Sequence, residues 1–169
     1  MRTPASKIIT LNQALTLREQ YRAAGTTVAF TNGCYDLFHA GHARSIAFAR
    51  AQADVLVLAV NTDRSVKENK GDLRPVIDEQ NRLSVLASLE CVDWVILFDS
   101  REVMPLVEAL RPDVLVKGAD RKGEVVGQSF VESYGGRVAL CPVVEGISTT
   151  RIIERVLRVY GPPPPAGAD

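Results

Sequence analysis

Residues 30–45 read FTNGCYDLFHAGHARS. The apolar run Thr27–Thr31 ends at Asn32-Gly33, and a helical pattern opens near Gly41. A β-branched run closed by Asn-Gly and followed by helical spacing predicts strand, turn and helix. His39 and His42 then lie at the start of that helix, about one turn from each other. This end of a helix offers unpaired N–H groups and the positive end of the dipole. Two imidazoles beside those donors suit phosphate oxygens. Gly33 and Gly41 let backbone come close to a ligand. A metal-binding pair would need a third ligand, and neither an HExxH pattern nor a Cys/His cluster is nearby. Two ordinary solvated or core histidines are the remaining reading. These are the only histidines in the chain.

Outward from that stretch, apolar runs alternate with helical patterns. Strands are expected at Thr27–Thr31, Val55–Val60, Trp94–Phe98, Val114–Lys117 and Val138–Pro142. Helices are expected at Leu11–Ala24, Gly41–Ala53, Glu79–Glu90, Arg101–Leu110, Gln128–Tyr134 and Ser148–Tyr160, with Asp78 as an N-cap. Val55–Val60 is apolar throughout, as in a strand buried on both faces. The alternation predicts an α/β fold: a doubly wound, Rossmann-like sheet of about five parallel strands with helices on both faces. Ligands bind such sheets beyond the carboxyl ends of the strands, where strand order reverses. Residues 1–160 are expected to form one domain. The end of the chain, GPPPPAGAD (161–169), reads as a disordered Pro-rich tail.

Composition narrows the function. The 169 residues carry 20 Lys plus Arg against 20 Asp plus Glu. A net charge of zero gives no general attraction to nucleic acid or anionic membrane. Anion chemistry must come from local placement of cations. No apolar stretch approaches the roughly 20 residues that span a bilayer. The start, MRTPASKIITLNQ, lacks the apolar segment of a signal peptide, so a cytoplasmic location is expected. Cys34, Cys91 and Cys141 are odd in number, far apart and without a CxxC pair, which argues for free thiols.

GCYDLFHAGH (33–42) resembles the first signature, H-x-G-H, of the cytidylyltransferase-like nucleotidyltransferases. ISTTR (147–151) resembles their second, which opens a late helix. In order, TNGCYDLFH (31–39), AVNTDRSVK (59–67), KGDLRPV (70–76), RLSVLASLECVDWV (82–95), RPDVLVKG (111–118) and EGISTT (145–150) are similar to one subfamily. It comprises the D-glycero-β-D-manno-heptose 1-phosphate adenylyltransferases of lipopolysaccharide core synthesis. The likeness covers roughly residues 10–158. Lys117-Gly118-Ala119-Asp120 departs from the subfamily's K-G-G-D-Y at Ala119 and again at Arg121.

The resemblance implies AMP transfer from ATP to a heptose 1-phosphate, giving ADP-heptose and pyrophosphate by direct in-line attack. Magnesium would accompany the ATP. His39 and His42 would contact the ATP phosphates, with one or both imidazoles cationic in the complex. Lys70 and Arg74 would act with them and clamp the sugar phosphate. Nucleotide contacts are implied for Thr31, Asn32, Gly33, Cys34, Tyr35, Gly41, Arg44, Asn61, Asp63, Lys117, Gly118, Asp120, Ser148, Thr149 and Thr150. Arg151 would add charge to the last group. Asp36 and Arg82 join Lys70 and Arg74 as substrate-binding candidates. Several have plainer readings: Asp36 as a loop-holding carboxylate, Asp63 and Ser148 as helix caps, Arg44 and the Lys70–Arg74 loop as solvated surface. No dedicated protein metal site is expected. A homodimer or higher homo-oligomer is implied, as is a separate sugar kinase to make the substrate. Other functional readings are a cytidylyltransferase acting on a polyol or amino-alcohol phosphate, a non-catalytic nucleotide-binding module, and a His-ligated metallohydrolase.

Overall fold

A computed structural model describes residues 2–119 and 125–161. Its centre is β3 (Val55–Asn61), buried at every position. Leu56, Leu58 and Val60 face one layer of the core; Val55, Val57 and Ala59 face the other. That two-residue period, apolar on both faces, is what an interior parallel strand requires. The first layer adds Ile46 and Ala49 from α3 (Ala40–Arg50) and Leu83, Leu86 and Ala87 from α5 (Glu79–Ala87). The second adds Ala14 from α2 (Leu11–Ala23) and Leu106, Val107 and Leu110 from α6 (Met104–Leu110).

The remaining strands are β1 (Ile8–Ile9), β2 (Val28–Gly33), β4 (Trp94–Phe98), β5 (Val114–Gly118) and β6 (Arg137–Cys141). All six run parallel in the order β1-β4-β3-β2-β5-β6. Val28 is in register with Val55, and Ala29 with Val114. The chain winds outward from β2 through β3 to β4, then returns to β2's other side as β5. The switch point therefore lies between β2 and β5, where such sheets open a ligand crevice.

The sheet has one strand more than expected, because β1 is a two-residue edge that carries no readable pattern. A further helix, α4 (Asp63–Lys70), also goes beyond the expectation. Its sequence, DRSVKENK, holds a single large apolar residue, Val66, so no apolar stripe announces it. Helix α6 starts later than Arg101, with Pro105 in its first turn. Proline suits that position because the first-turn N–H groups need no helical partner. Two further short helices are α1 (Pro4–Lys7) and α7 (Gln128–Ser133). Asp78 caps α5 as expected, accepting from the Asn81 N–H at 2.9 Å.

The last helix, α8 (Thr149–Tyr160), buries none of its residues. Ile152, Ile153, Val156, Leu157, Val159 and Tyr160 share one side of it; Arg151, Glu154, Arg155 and Arg158 share the other. No described helix is long and apolar enough to cross a membrane. The expected tail from 162 onward lies outside the described residues.

Candidate active site

The carboxyl ends of β2, β3 and β5 open onto a cleft of about 660 Å³. This is a size typical of small-molecule sites. Its floor is Thr31 to Asp36, running off β2. Asn61 closes β3, and Lys117-Gly118 closes β5. His39 and His42 enter from α3, Asn69 and Lys70 from the end of α4, Arg74 from the loop beyond, and Ser148 to Thr150 from the start of α8. Residues from six segments far apart in sequence thus meet at one rim. Lys117 is buried, and its ammonium donates to the Asn32 amide oxygen, tying β5 to β2 across the switch point.

The histidine pair is built by the helix start. His39 is the N-cap of α3, and its Nδ1 accepts from the His42 N–H at 3.3 Å. That bond leaves Nε2 as the protonated nitrogen of a neutral His39. The two rings stack at 3.8 Å between centroids and 17° between planes. Tyr35 meets His42 edge-on at 5.2 Å. Burial first, then the neighbouring His39, hold the His42 pKa down at about 4, opposed by Asp36. Burial also lowers the pKa of His39. Both rings are therefore neutral at pH 7. The expected cationic imidazole concerns the phosphate-bound state. His42 Nδ1 is buried with no hydrogen-bond partner among the described residues.

Gly41 has a different use from the one expected. A Cβ there would stand 2.9 Å from His39 Cε1 and 3.0 Å from its Nδ1. The glycine makes room for the imidazole, and it is not among the residues lining the cleft. Tyr35 holds a left-handed backbone, φ 50°, a conformation uncommon for a non-glycine residue. Burial raises its phenol pKa, so it stays un-ionised. The Cys34 thiol is likewise pushed up by burial, against the opposing pull of Lys70, Arg82 and Arg74. It is no activated nucleophile.

Arg82 requires a correction. Its side chain is wholly shielded from solvent. Its guanidinium donates to the carbonyls of Ile77, Cys34 and Asn61 and to Asp63 Oδ1, the last at 2.7 Å. It lies behind the cleft and braces the ends of β2 and β3; it is not among the residues lining the cleft. Asp63 is drawn into the same network, and the cap of α4 is Thr62, which accepts from the Ser65 N–H at 3.1 Å. The expected nucleotide contact of Asp63 has no support in the cleft lining. Asp36 lines the cleft and follows its plainer reading, as a loop-holding carboxylate. Its carboxylate is fully shielded and accepts from Arg74 Nε and from the N–H groups of Val76 and Ile77. It aims Arg74 and pins the loop. Arg44 stands exposed on the first turn of α3, outside the lining. Ser148 caps α8, accepting from the Arg151 N–H at 3.2 Å, while it also lines the cleft. Arg151 lines a neighbouring groove with Val143 to Ile147. Asp120 and Arg121 lie outside the described residues.

Three lining residues were absent from the expectations: Ser45, Asn69 and Arg101. Arg101 was findable, since it follows β4 at the same edge of the sheet. Ser45 and Asn69 carry no such signal. Among the described residues, no group of three His, Cys, Asp or Glu could hold a metal ion.

The chain is 48% identical to the Bifunctional protein HldE of Geobacter metallireducens over 157 residues, which is 92% of this chain and 32% of that protein. It is 52% identical to the HldE of Syntrophotalea carbinolica over 143 residues, 84% of this chain and 29% of that one. The chain thus spans about a third of the length of these curated relatives. A lipopolysaccharide core biosynthesis protein from Thermoplasma volcanium superposes with a TM-score of 0.58 at 29% identity, covering 71% of this chain and 98% of that one. Pantoate-beta-alanine ligase from Francisella tularensis gives 0.58 at 15% identity, covering 90% and 77%, a likeness of fold alone. The profile named Cytidylyltransferase-like matches residues 30–155, so the chain belongs to the cytidylyltransferase-like family.

Proposed function

We propose that this chain is an adenylyltransferase that transfers AMP from ATP to a heptose 1-phosphate. An oxygen of the anomeric phosphate attacks the α-phosphorus of ATP. The bond from that phosphorus to the bridging oxygen breaks, and pyrophosphate leaves. The nucleophile is already anionic, so no serine or cysteine is needed. The task is to gather two polyanions and stabilise the charge that moves between them. One observation carries the reading: His39, His42, Lys70, Arg74 and the start of α8 converge on one cleft at the switch point. The likeness to HldE over most of this chain supports the heptose substrate.

Magnesium belongs to this reading as part of the nucleotide substrate. Asp36 is the one carboxylate among the described lining residues, and its oxygens are engaged. The ion would be held by the triphosphate and water, as is usual for it. A phosphorylation at the sugar's anomeric carbon must supply the acceptor.

The test is pyrophosphate release across ATP and CTP with heptose 1-phosphate, other sugar phosphates and polyol phosphates. ATP with heptose 1-phosphate is expected to turn over at least tenfold faster than any other pair. A preference for CTP with a polyol phosphate would move the assignment elsewhere in the family. No release with any pair would leave a binding module.

We also propose a homo-oligomer. A free-standing helix of this length is marginal in water, and the exposed apolar side of α8 supports a second copy as its cover. The double substitution Val156→Glu, Leu157→Glu should convert the assembly to monomers in sedimentation velocity. A wild-type protein already monomeric would overturn this.

A further inference from the structure

We propose that Arg101 binds the phosphate of the acceptor sugar, a role that rests on the adenylyltransferase reading. Four cations line the cleft among the described residues: Lys70, Arg74, Arg101 and Lys117. Arg74 is held by the shielded Asp36 carboxylate, and Lys117 by Asn32. Their charge is partly spent on the protein. Arg101 is exposed, and among the described residues no hydrogen bond or ion pair engages its guanidinium.

Its base, in contrast, is held. The Ser100 carbonyl accepts from Asn61 Nδ2 at 3.3 Å, and Ser100 Oγ accepts from the Glu102 N–H at 3.1 Å. One step back, the Phe98 carbonyl accepts from the Thr62 N–H at 3.0 Å. Asn61 is itself buried and lines the cleft, so the anchor of Arg101 is part of the site. A fixed base and an unpaired planar fork suit a phosphate monoester, which such a fork grips with two parallel hydrogen bonds.

Topology decides which phosphate. Arg101 follows β4, on the β3 side of β2. Lys117-Gly118 ends β5, on the opposite side, and the start of α8 lines the cleft with them. In-line transfer needs the incoming and leaving oxygens on opposite sides of the phosphorus. With the histidines and the α8 start on the nucleotide, the wall of Asn69, Lys70 and Arg101 is left for the acceptor.

The test compares wild type with Arg101→Gln and Arg101→Lys in pyrophosphate release, varying ATP and heptose 1-phosphate in turn. Calorimetric titration with each ligand alone accompanies the kinetics. Arg101→Gln should raise the KM and Kd for heptose 1-phosphate at least tenfold. It should leave the KM for ATP within twofold and the Tm unchanged. Lysine should restore part of the loss. An unchanged acceptor KM and Kd, or a raised KM for ATP instead, would overturn the assignment of Arg101 while leaving the enzyme reading intact. A wild-type protein that neither binds nor consumes any sugar phosphate would overturn both.

Discussion

His42→Ala is expected to slow pyrophosphate release by roughly 10²–10³-fold, the usual cost of losing one charge-stabilising donor in a transition state. The His42 ring stacks on His39 at the start of α3, with a buried Nδ1 that no group among the described residues satisfies. No hydrogen bond among the described residues depends on that nitrogen, so the variant should lose only the ring's packing against His39 and Tyr35, a small drop in Tm. His39→Ala should lose comparable turnover and some stability too, because His39 caps α3. A lost cap costs about 1 kcal/mol, or a Tm drop of about 2–4 °C at this chain length. Stopped assays and thermal unfolding on the two variants check the split. An alanine at 42 that keeps a third of the turnover would remove this imidazole from the chemistry.

The same residue makes a pH signature. An unfolded histidine titrates near 6.5, whereas burial holds His42 of the folded protein at about 4. Between those values the unfolded chain binds the proton and the folded chain does not. Stability is therefore lost as pH falls from 6.5 towards 4, and His42→Ala should flatten that loss. Triphosphate beside the rings acts in the opposite direction, favouring the charged form. ATP binding near pH 6 should then take up protons, visible as binding heats that differ between buffers of unlike ionisation heat. The uptake should shrink in His42→Ala.

The fold was legible wherever burial imposed a period. Val55–Val60 is apolar throughout because it is covered on both faces, and β3 lies there. The Asn-Gly stop and the glycine-bearing turn placed His39 and His42 correctly at a helix start. What escaped was short or polar. Ile8–Ile9 is too brief to show alternation, and α4 hides its one buried apolar side chain, Val66, among charges. In the site, position along the sheet edge was readable, but the direction of a side chain was not. Arg82, Asp63 and Asp36 all belong to strand ends, loops or helices around the cleft, yet their charges turn inward and satisfy one another or the backbone. Charge type and spacing do not distinguish a guanidinium that grips a phosphate from one that grips three carbonyls. Arg101 shows the converse, a cation in the cleft with no motif around it.

That distinction gives Arg82 the other large effect, on stability. Arg82→Ala should destabilise the fold by about 3–5 kcal/mol, the usual range for breaking a buried charged network by removing one partner. The carbonyls of Ile77, Cys34 and Asn61 would each lose a donor, that of Asn61 in a buried place, and Asp63 would lose its counter-charge. At this chain length the Tm should fall by roughly 6–20 °C. Lysine should recover little of it, because one ammonium cannot span acceptors that a planar fork reaches together. Activity should fall in step, since Cys34 and Asn61 line the cleft that Arg82 braces from behind. The decisive comparison is between the two arginines. Arg101→Gln should weaken acceptor binding at constant Tm, and Arg82→Ala should lower Tm before it selects between substrates. If Arg82→Ala keeps the wild-type Tm and raises only the acceptor KM, the buried network is not what braces the ends of β2 and β3, and Arg82 reaches the substrate after all.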